Sequence, residues 1–231
     1  MPSLPATQPL HIGILGAGKL GGTLGTLWAR RGHAVCFSFS RDAQKLAALA
    51  RTAGPTARWG TPANAVDFGE VVLLAVPWAV VNDALGAAGA AGGAFAGKVL
   101  LDGTNPFGPD GGLAVGHTTS GAEAIARWAP GARVVKAFNT LGAIYYADPD
   151  FGGQTPSTFV ASDDVVGKAT ARALATDLGL ETADAGPLAS ARLLEPLAAL
   201  LLRIRWAQPP PAHDVALHLL RRQPRSTLTP R

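Results

Sequence analysis

His11-Ile12-Gly13-Ile14-Leu15-Gly16-Ala17-Gly18-Lys19-Leu20-Gly21-Gly22 joins a short apolar run to a Gly-x-Gly-x-x-Gly pattern and then to a helix-like segment. Each part has a physical use. Gly16 permits the tight turn out of the strand, Gly18 lets the backbone approach a ligand closely, and Gly21 lets the helix pack on the strand. The helix start then offers unpaired N–H groups and a partial positive charge, which suits a pyrophosphate. A glycine pattern alone is weak. Its weight depends on the strand before it, the helix after it and the residues at the tip of the second strand.

Outward from that stretch the chain alternates. Strand-like runs are expected at 11–16, 34–40, 71–76, 98–102, 133–138, 158–161 and 181–184, with 56–59 a strand or a loop. Helices are expected at 19–31, 42–53, from Thr61, near Val80, at 120–128, 163–178 and 188–206, with a last short one at 214–222. Val71 to Val76 is a continuous aliphatic run, as a strand buried on both faces requires. The alternation predicts an α/β fold, a doubly wound and mostly parallel sheet with a small helical part at the C-terminal end. Residues 10–186 are read as the dinucleotide-binding domain and 187–222 as a C-terminal helical segment. The ends, 1–9 and 223–231, are read as flexible.

Composition limits the alternatives. With 231 residues, 48% of them hydrophobic and 16% charged, the chain can bury a sizeable core and does not read as disordered. The net charge is +4, but Arg221, Arg222, Arg225 and Arg231 crowd the tail and no basic stripe forms, so nucleic acid is not an expected partner. Cys36 is the only cysteine, which rules out an internal disulfide, and it reads as a buried, inert thiol. No metal-ligand cluster is apparent. Met1 to Pro9 lacks a signal-peptide pattern and the longest apolar run near the C-terminus is short, so a soluble cytoplasmic protein is expected, with no membrane partner.

In open sheets of this kind ligands lie beyond the carboxyl ends of the strands. The tip of the second strand is Ser40-Arg41, with Lys45 one helical turn on. A hydroxyl, a guanidinium and an ammonium suit a phosphate dianion, so NADP(H) is expected rather than NAD, and Asp42 is read as the cap of the following helix. Ala75, Val76 and Pro77 lie along the cofactor on the other side. Trp78 has two readings, a packing cap over the strand edge or an aromatic wall of the active site. Asn105 and Asn139 end two later strands, where an amide can orient a carboxamide or a ribose hydroxyl, or serve only as a turn residue. His117 stands just before Ser120 and Glu123, a pair read as a capping box. No catalytic acid, base or nucleophile stands out. Hydride transfer between stacked rings needs proximity more than proton donors, which favours a flavin-like acceptor over a carbonyl.

The ordered set Gly16-x-Gly18-x-x-Gly21, Ser40-Arg41-Asp42, Asp102-Gly103-Thr104-Asn105-Pro106, Val134-Val135-Lys136-Ala137-Phe138-Asn139-Thr140 and Asp184-Ala185-Gly186-Pro187-Leu188 with Ala191-Arg192-Leu193-Leu194-Glu195 resembles the NADPH-dependent oxidoreductases typified by deazaflavin (coenzyme F-420):NADP oxidoreductase. The resemblance runs over about residues 11–222. It implies a Rossmann domain, bound NADP(H) and hydride transfer to a second planar cofactor, coenzyme F-420, FMN or FAD. It implies that Ala17, Gly18, Lys19 and Leu20 meet the pyrophosphate, that Ser40, Arg41 and Lys45 hold the 2′-phosphate, and that Pro77 and Val81 line the cofactor. The helix after Pro187 would close the acceptor pocket, formed with Trp78, His117 and Leu188, and make a homodimer contact. Deazaflavin-using members carry a histidine where this chain has Asn139. That segment is more similar to relatives such as the cytosolic domain of the six-transmembrane metalloreductases. A weaker similarity, to pyrroline-5-carboxylate reductase, covers the N-terminal part alone. Two other readings stand beside hydride transfer to a flavin-like ring: a non-catalytic NADP-binding sensor or scaffold, and an imine or carbonyl reductase using His117, Tyr145 or Tyr146 as proton donor.

Overall fold

A computed structural model describes residues 8–209 and 214–222. Most of the leader and the tail 223–231, both expected to be flexible, lie outside the described residues. Among the described residues the sheet has eight strands: β1 (His11–Leu15), β2 (Ala34–Ser38), β3 (Ala57–Trp59), β4 (Val71–Leu74), β5 (Val99–Asp102), β6 (Arg133–Ala137), β7 (Ser157–Ala161) and β8 (Glu181–Asp184). Their order is β3-β2-β1-β4-β5-β6-β7-β8. All pairs are parallel except β6 with β7. The order reverses between β1 and β4, which is where such sheets bind ligands.

Among the described residues seven α-helices cover the two faces: α1 (Lys19–Arg30), α2 (Ala43–Ala53), α3 (Pro62–Phe68), α4 (Val81–Ala87), α5 (Gly121–Trp128), α6 (Val165–Thr176) and α7 (Ala191–Ala207). Local chemistry sets their starts. Asp42 accepts from Gln44 N at 2.8 Å and Lys45 N at 3.2 Å and so caps α2. Thr61 and Asn64 form a reciprocal capping box before Pro62. Ser120 accepts from Glu123 N at 3.2 Å, but its hydroxyl then donates to the Glu123 carboxylate, which turns toward Arg192.

One core lies under α1, α2 and α6, around Leu24, Trp28, Phe37, Leu46 and Leu174. The other lies on the opposite face, around Val72, Leu74, Leu85, Phe95 and Ile125. Trp28 Nε1 donates to Leu174 O at 3.1 Å and so ties α1 to α6. Cys36 is buried in β2, and burial pushes its thiol pKa up, as an inert thiol should behave.

One predicted element is corrected. Residues 214–222 were expected to be helical and form no helix. Leu217 O accepts from Ser157 N at 2.8 Å, Leu219 N donates to Ser157 Oγ at 2.9 Å and His218 Nδ1 donates to Thr155 O at 2.8 Å. These bonds to the start of β7 take the backbone groups a helix would pair internally.

Candidate active site

The glycine turn is fitted to its task. Gly16 has φ +113°, and a Cβ there would stand 2.5 Å from Ala75 O. A Cβ on Gly21 would stand 2.0 Å from Gly16 O, so helix and strand approach as only glycine permits. A Cβ on Gly18 would meet nothing within 4 Å. Its lack of a side chain therefore keeps open the space over the α1 N-terminus. That terminus has no side-chain cap and no acidic residue in its first turn, so its N–H groups and positive end are left for an anion. These residues fit a pyrophosphate.

A cleft of about 980 Å³ runs from this turn across the ends of β2 and β3. Gly16, Ala17 and Gly18 form one wall. Ser40, Arg41 and Lys45 line its far end, and neither cation is in an ion pair among the described residues. Trp59, Thr61, Pro62 and Asn64 close that end from β3 and α3. Ala75, Val76 and Pro77 line the near end with Val80 and Asp83. Phe39, in the left-handed region at φ 57°, turns the chain sharply after β2 and brings Ser40-Arg41 over the cleft.

Two smaller clefts continue the line. One of about 480 Å³ shares Ala75, Val76 and Pro77 with the first and adds Leu20, Trp78, Gly103, Thr104 and Asn105. The next, of about 200 Å³, shares Leu20, Gly103 and Asn105 and passes Asn139 to Tyr145, Leu201 and Arg205. The track thus crosses the tips of β2, β1, β4, β5 and β6 in sheet order.

Most expected site residues meet on this track. Trp78 fills both of its readings, since it lines the middle cleft and packs on Trp128 with ring centroids 5.6 Å apart. Asn105 and Asn139 interlock: Asn105 Nδ2 donates to Asn139 O at 2.9 Å, and Asn139 Nδ2 donates to Asn105 Oδ1 and Leu194 O, each at 3.0 Å. Both are therefore held by defined partners, and α7 is part of the arrangement.

Five expected residues do not line the track. Lys19 begins α1 and points to solvent. Val81 is 1% exposed in the core, because a single 3-10 turn at Trp78–Val80 rotates the start of α4 and presents Val80 instead. His117 is exposed on its loop, Pro187 is exposed, and Leu188 is packed in the core below α5. Of the two tyrosines, Tyr146 is buried away from the clefts and donates to Phe138 O at 3.0 Å; burial pushes its pKa up. Tyr145 lines the third cleft and donates to Asp214, with burial and that bond raising its pKa.

Trp59, Asn64, Val80 and Asp83 were not anticipated. A firm strand at 57–59 would have placed the end of β3 beside Ser40. Also unanticipated is a buried ionic cluster beneath the middle cleft. Lys136 Nζ lies 2.9 Å from both Asp102 Oδ2 and Glu195 Oε1. Glu195 in turn accepts from Gly121 N at 2.9 Å and Ala122 N at 3.1 Å at the start of α5.

Comparison with known proteins gives a consistent picture. A family model described as NADP oxidoreductase coenzyme F420-dependent matches residues 11–106. The crystal structure of a protein from Arthrobacter sp. FB24, assigned as an F420-dependent NADP-reductase, has a TM-score of 0.77 and 30% identity, covering 86% of this chain and 94% of that one. Metalloreductase STEAP3 of Rattus norvegicus is 30% identical over 203 residues, 87% of this chain and 39% of that protein, so the chain spans about two fifths of that relative. A reductive aminase from Aspergillus terreus in complex with NADPH shares the fold, with a TM-score of 0.64 at 20% identity over 87% of this chain and 63% of that one.

Proposed function

The chain belongs to the NADP oxidoreductase coenzyme F420-dependent family and is an NADP-dependent oxidoreductase, and from that premise we propose that it transfers a hydride between NADPH and a deazaflavin or flavin-like acceptor. The observation that carries the reading is the track of three clefts that share lining residues, cationic at one end and lined by Trp78, Leu20 and the paired asparagines at the other. NADPH, when bound, supplies the hydride from its dihydronicotinamide ring. The protein's part is placement. The Gly16–Gly18 turn and the α1 N-terminus hold the pyrophosphate. Ser40, Arg41 and Lys45 hold the 2′-phosphate. Trp59 and Asn64 bound the adenine end, and Trp78 with Asn105 fixes the ring end. The nicotinamide lies in the middle cleft, and the acceptor, coenzyme F-420, FMN or FAD, stacks on it from the third cleft, beside Asn139.

Mixing purified protein and NADPH with each acceptor and following absorbance at the reduced-nicotinamide band tests this. Oxidation with at least one acceptor is expected, and no turnover with any of the three overturns the reading. One observation favours a second reading, an imine or carbonyl reductase: Tyr145, a phenol held protonated, reaches the third cleft. Tyr145→Phe should leave flavin reduction within about twofold, whereas a proton donor's loss costs about 100-fold or more.

The reading extends to a homodimer. Leu193, Leu200 and Ile204 present an exposed apolar edge along α7, 73%, 54% and 38% accessible. A second copy of α7 is the occupant we assign to it, and a monomeric mass by light scattering at micromolar concentration overturns that assignment. The reading also locates the enzyme in the cytoplasm, where a lone unpaired cysteine is at home.

A further inference from the structure

Lys136, Asp102 and Glu195 are all 0% exposed, yet none of the three lines a cleft. Their hydrogen bonding is complete. Lys136 Nζ spends its three donors on Asp102 Oδ2, Glu195 Oε1 and Thr104 O, the last at 2.6 Å. Asp102 Oδ1 accepts from Thr104 N at 2.9 Å and Thr104 Oγ1 at 2.7 Å. The two Glu195 oxygens take Gly121 N and Ala122 N besides the ammonium. Two carboxylates face one ammonium, a formal charge of minus one. The positive end of α5 offsets about half of a charge and leaves the sum negative. A buried ion cluster is poor evidence of stability by itself, because apolar residues of like volume often serve as well. Its position is more informative. Thr104 is bonded to the cluster through its N–H, its hydroxyl and its carbonyl, and the same residue lines the middle cleft beside Leu20, Trp78 and Asn105. One residue separates the charge from the cleft, and the three charged side chains are closed to solvent.

We propose that the Asp102–Lys136–Glu195 cluster is an electrostatic device that favours the oxidised, positively charged nicotinamide in the middle cleft, and so makes bound NADPH the better hydride donor. The inference rests on the reading that this cleft takes the nicotinamide. Hydride donation, in which the hydrogen and both electrons of one C–H bond pass to the deazaflavin or flavin acceptor, leaves one positive charge behind in that cleft. A negative field steadies that charge and does little for the neutral reduced ring. The three side chains act through Thr104 and the field, so they are positioning residues.

The test is the ratio of dissociation constants, Kd(NADP+)/Kd(NADPH), measured by titration on the full chain. Glu195→Gln and Asp102→Asn each remove a negative charge and are expected to raise the ratio about threefold to tenfold, the scale of one charge felt through a partly screened interior. Glu195→Asp keeps the charge and should keep the ratio, even where both affinities fall. A purely structural role would weaken the two ligands together and leave the ratio alone. An unmoved or lowered ratio in either charge-removing variant that retains the native circular dichroism overturns the proposal. Should neither variant fold, the wild type decides. It is expected to bind NADP+ at least as tightly as NADPH, and a tenfold preference for NADPH overturns the sign of the field. A protein that binds neither nucleotide instead overturns the cofactor reading on which the proposal rests.

Discussion

The β1–α1–β2 turn and the β5–β6–α7 junction end under the same track of clefts and hold their shape by opposite means. At the first, groups are missing. Gly16 and Gly21 lack the Cβ that would collide with Ala75 O and Gly16 O, and the α1 N-terminus lacks a cap. At the second, groups are added. A lysine and two carboxylates sit where a doubly wound sheet could carry leucines, and they bind strand tips to two helices. A turn that must receive an anion gains from open N–H groups. A junction that must fix two asparagines and a helix relative to each other gains from directional bonds. The first region is thus sensitive to added bulk, and the second to lost charge.

The largest effect should come from breaking the second region. Lys136→Met leaves Asp102 and Glu195 buried with no cation between them, so unfolding stability should fall by about 3–5 kcal/mol. Urea denaturation followed by circular dichroism measures it. A loss below about 1 kcal/mol would show that the cluster is not held as the structure has it.

Next is the cationic end of the first region. Arg41→Ala should raise the NADPH dissociation constant about 30- to 100-fold, as expected for loss of a charge-assisted contact to a dianion. The NADH constant should hardly move. Equal effects on both would refute the 2′-phosphate assignment and leave the glycine turn as a dinucleotide site of unresolved preference.

A third test separates cleft from core within a single turn. Val81→Ala removes buried methyl groups and should lower stability by about 1–2.5 kcal/mol with NADPH affinity within about twofold. Val80→Ala, on the cleft wall, should do the reverse: little change in melting, weaker NADPH. An affinity loss confined to Val81→Ala would restore that residue to the cofactor wall and refute the rotation assigned to the Trp78–Val80 turn.

The same contrast accounts for what the sequence makes legible. The first region is written in neighbouring residues. Glycine spacing, a strand before it, a helix after it and Ser40-Arg41 at the next tip are local signals, each with one physical meaning. The alternation of strands and helices fixes the sheet in the same way. The second region is written in distant ones. Nothing near Asp102, Lys136 or Glu195 says that three charges, each unusual inside a fold, will meet. The same is true of the left-handed turns at Phe39 and Phe138, which aromatic residues seldom adopt and which only tertiary packing enforces. Residues 214–222 failed for a related reason. Asp214 to Arg222 holds no Pro or Gly to break a helix, but the start of β7 competes for its backbone. Val81 was lost to one turn of 3-10 geometry, which turns a side chain from cleft to core without a mark in the sequence.

The smallest expected effect lies at the edge of the second region, where solvent weakens the rule of lost charge. Arg192 holds the Glu123 carboxylate through two bonds, at 2.9 and 2.6 Å, and with Ser120 keeps its pKa below the usual glutamate value. A carboxylate whose pKa is depressed by folding contributes stability that is fully present above its unfolded pKa of about 4.3 and is lost as the pH falls through the folded value. Glu123→Gln should therefore destabilise at pH 7 by no more than about 0.5 kcal/mol, since water reaches the pair. The difference from wild type should close as the pH is lowered below about 4. Denaturation midpoints at pH 7, 5 and 3 decide it. A gap that stays constant with pH would mean that Glu123 acts through packing. A gap as large as that for Lys136→Met would erase the distinction between buried and bordering charge on which the reading of this junction depends.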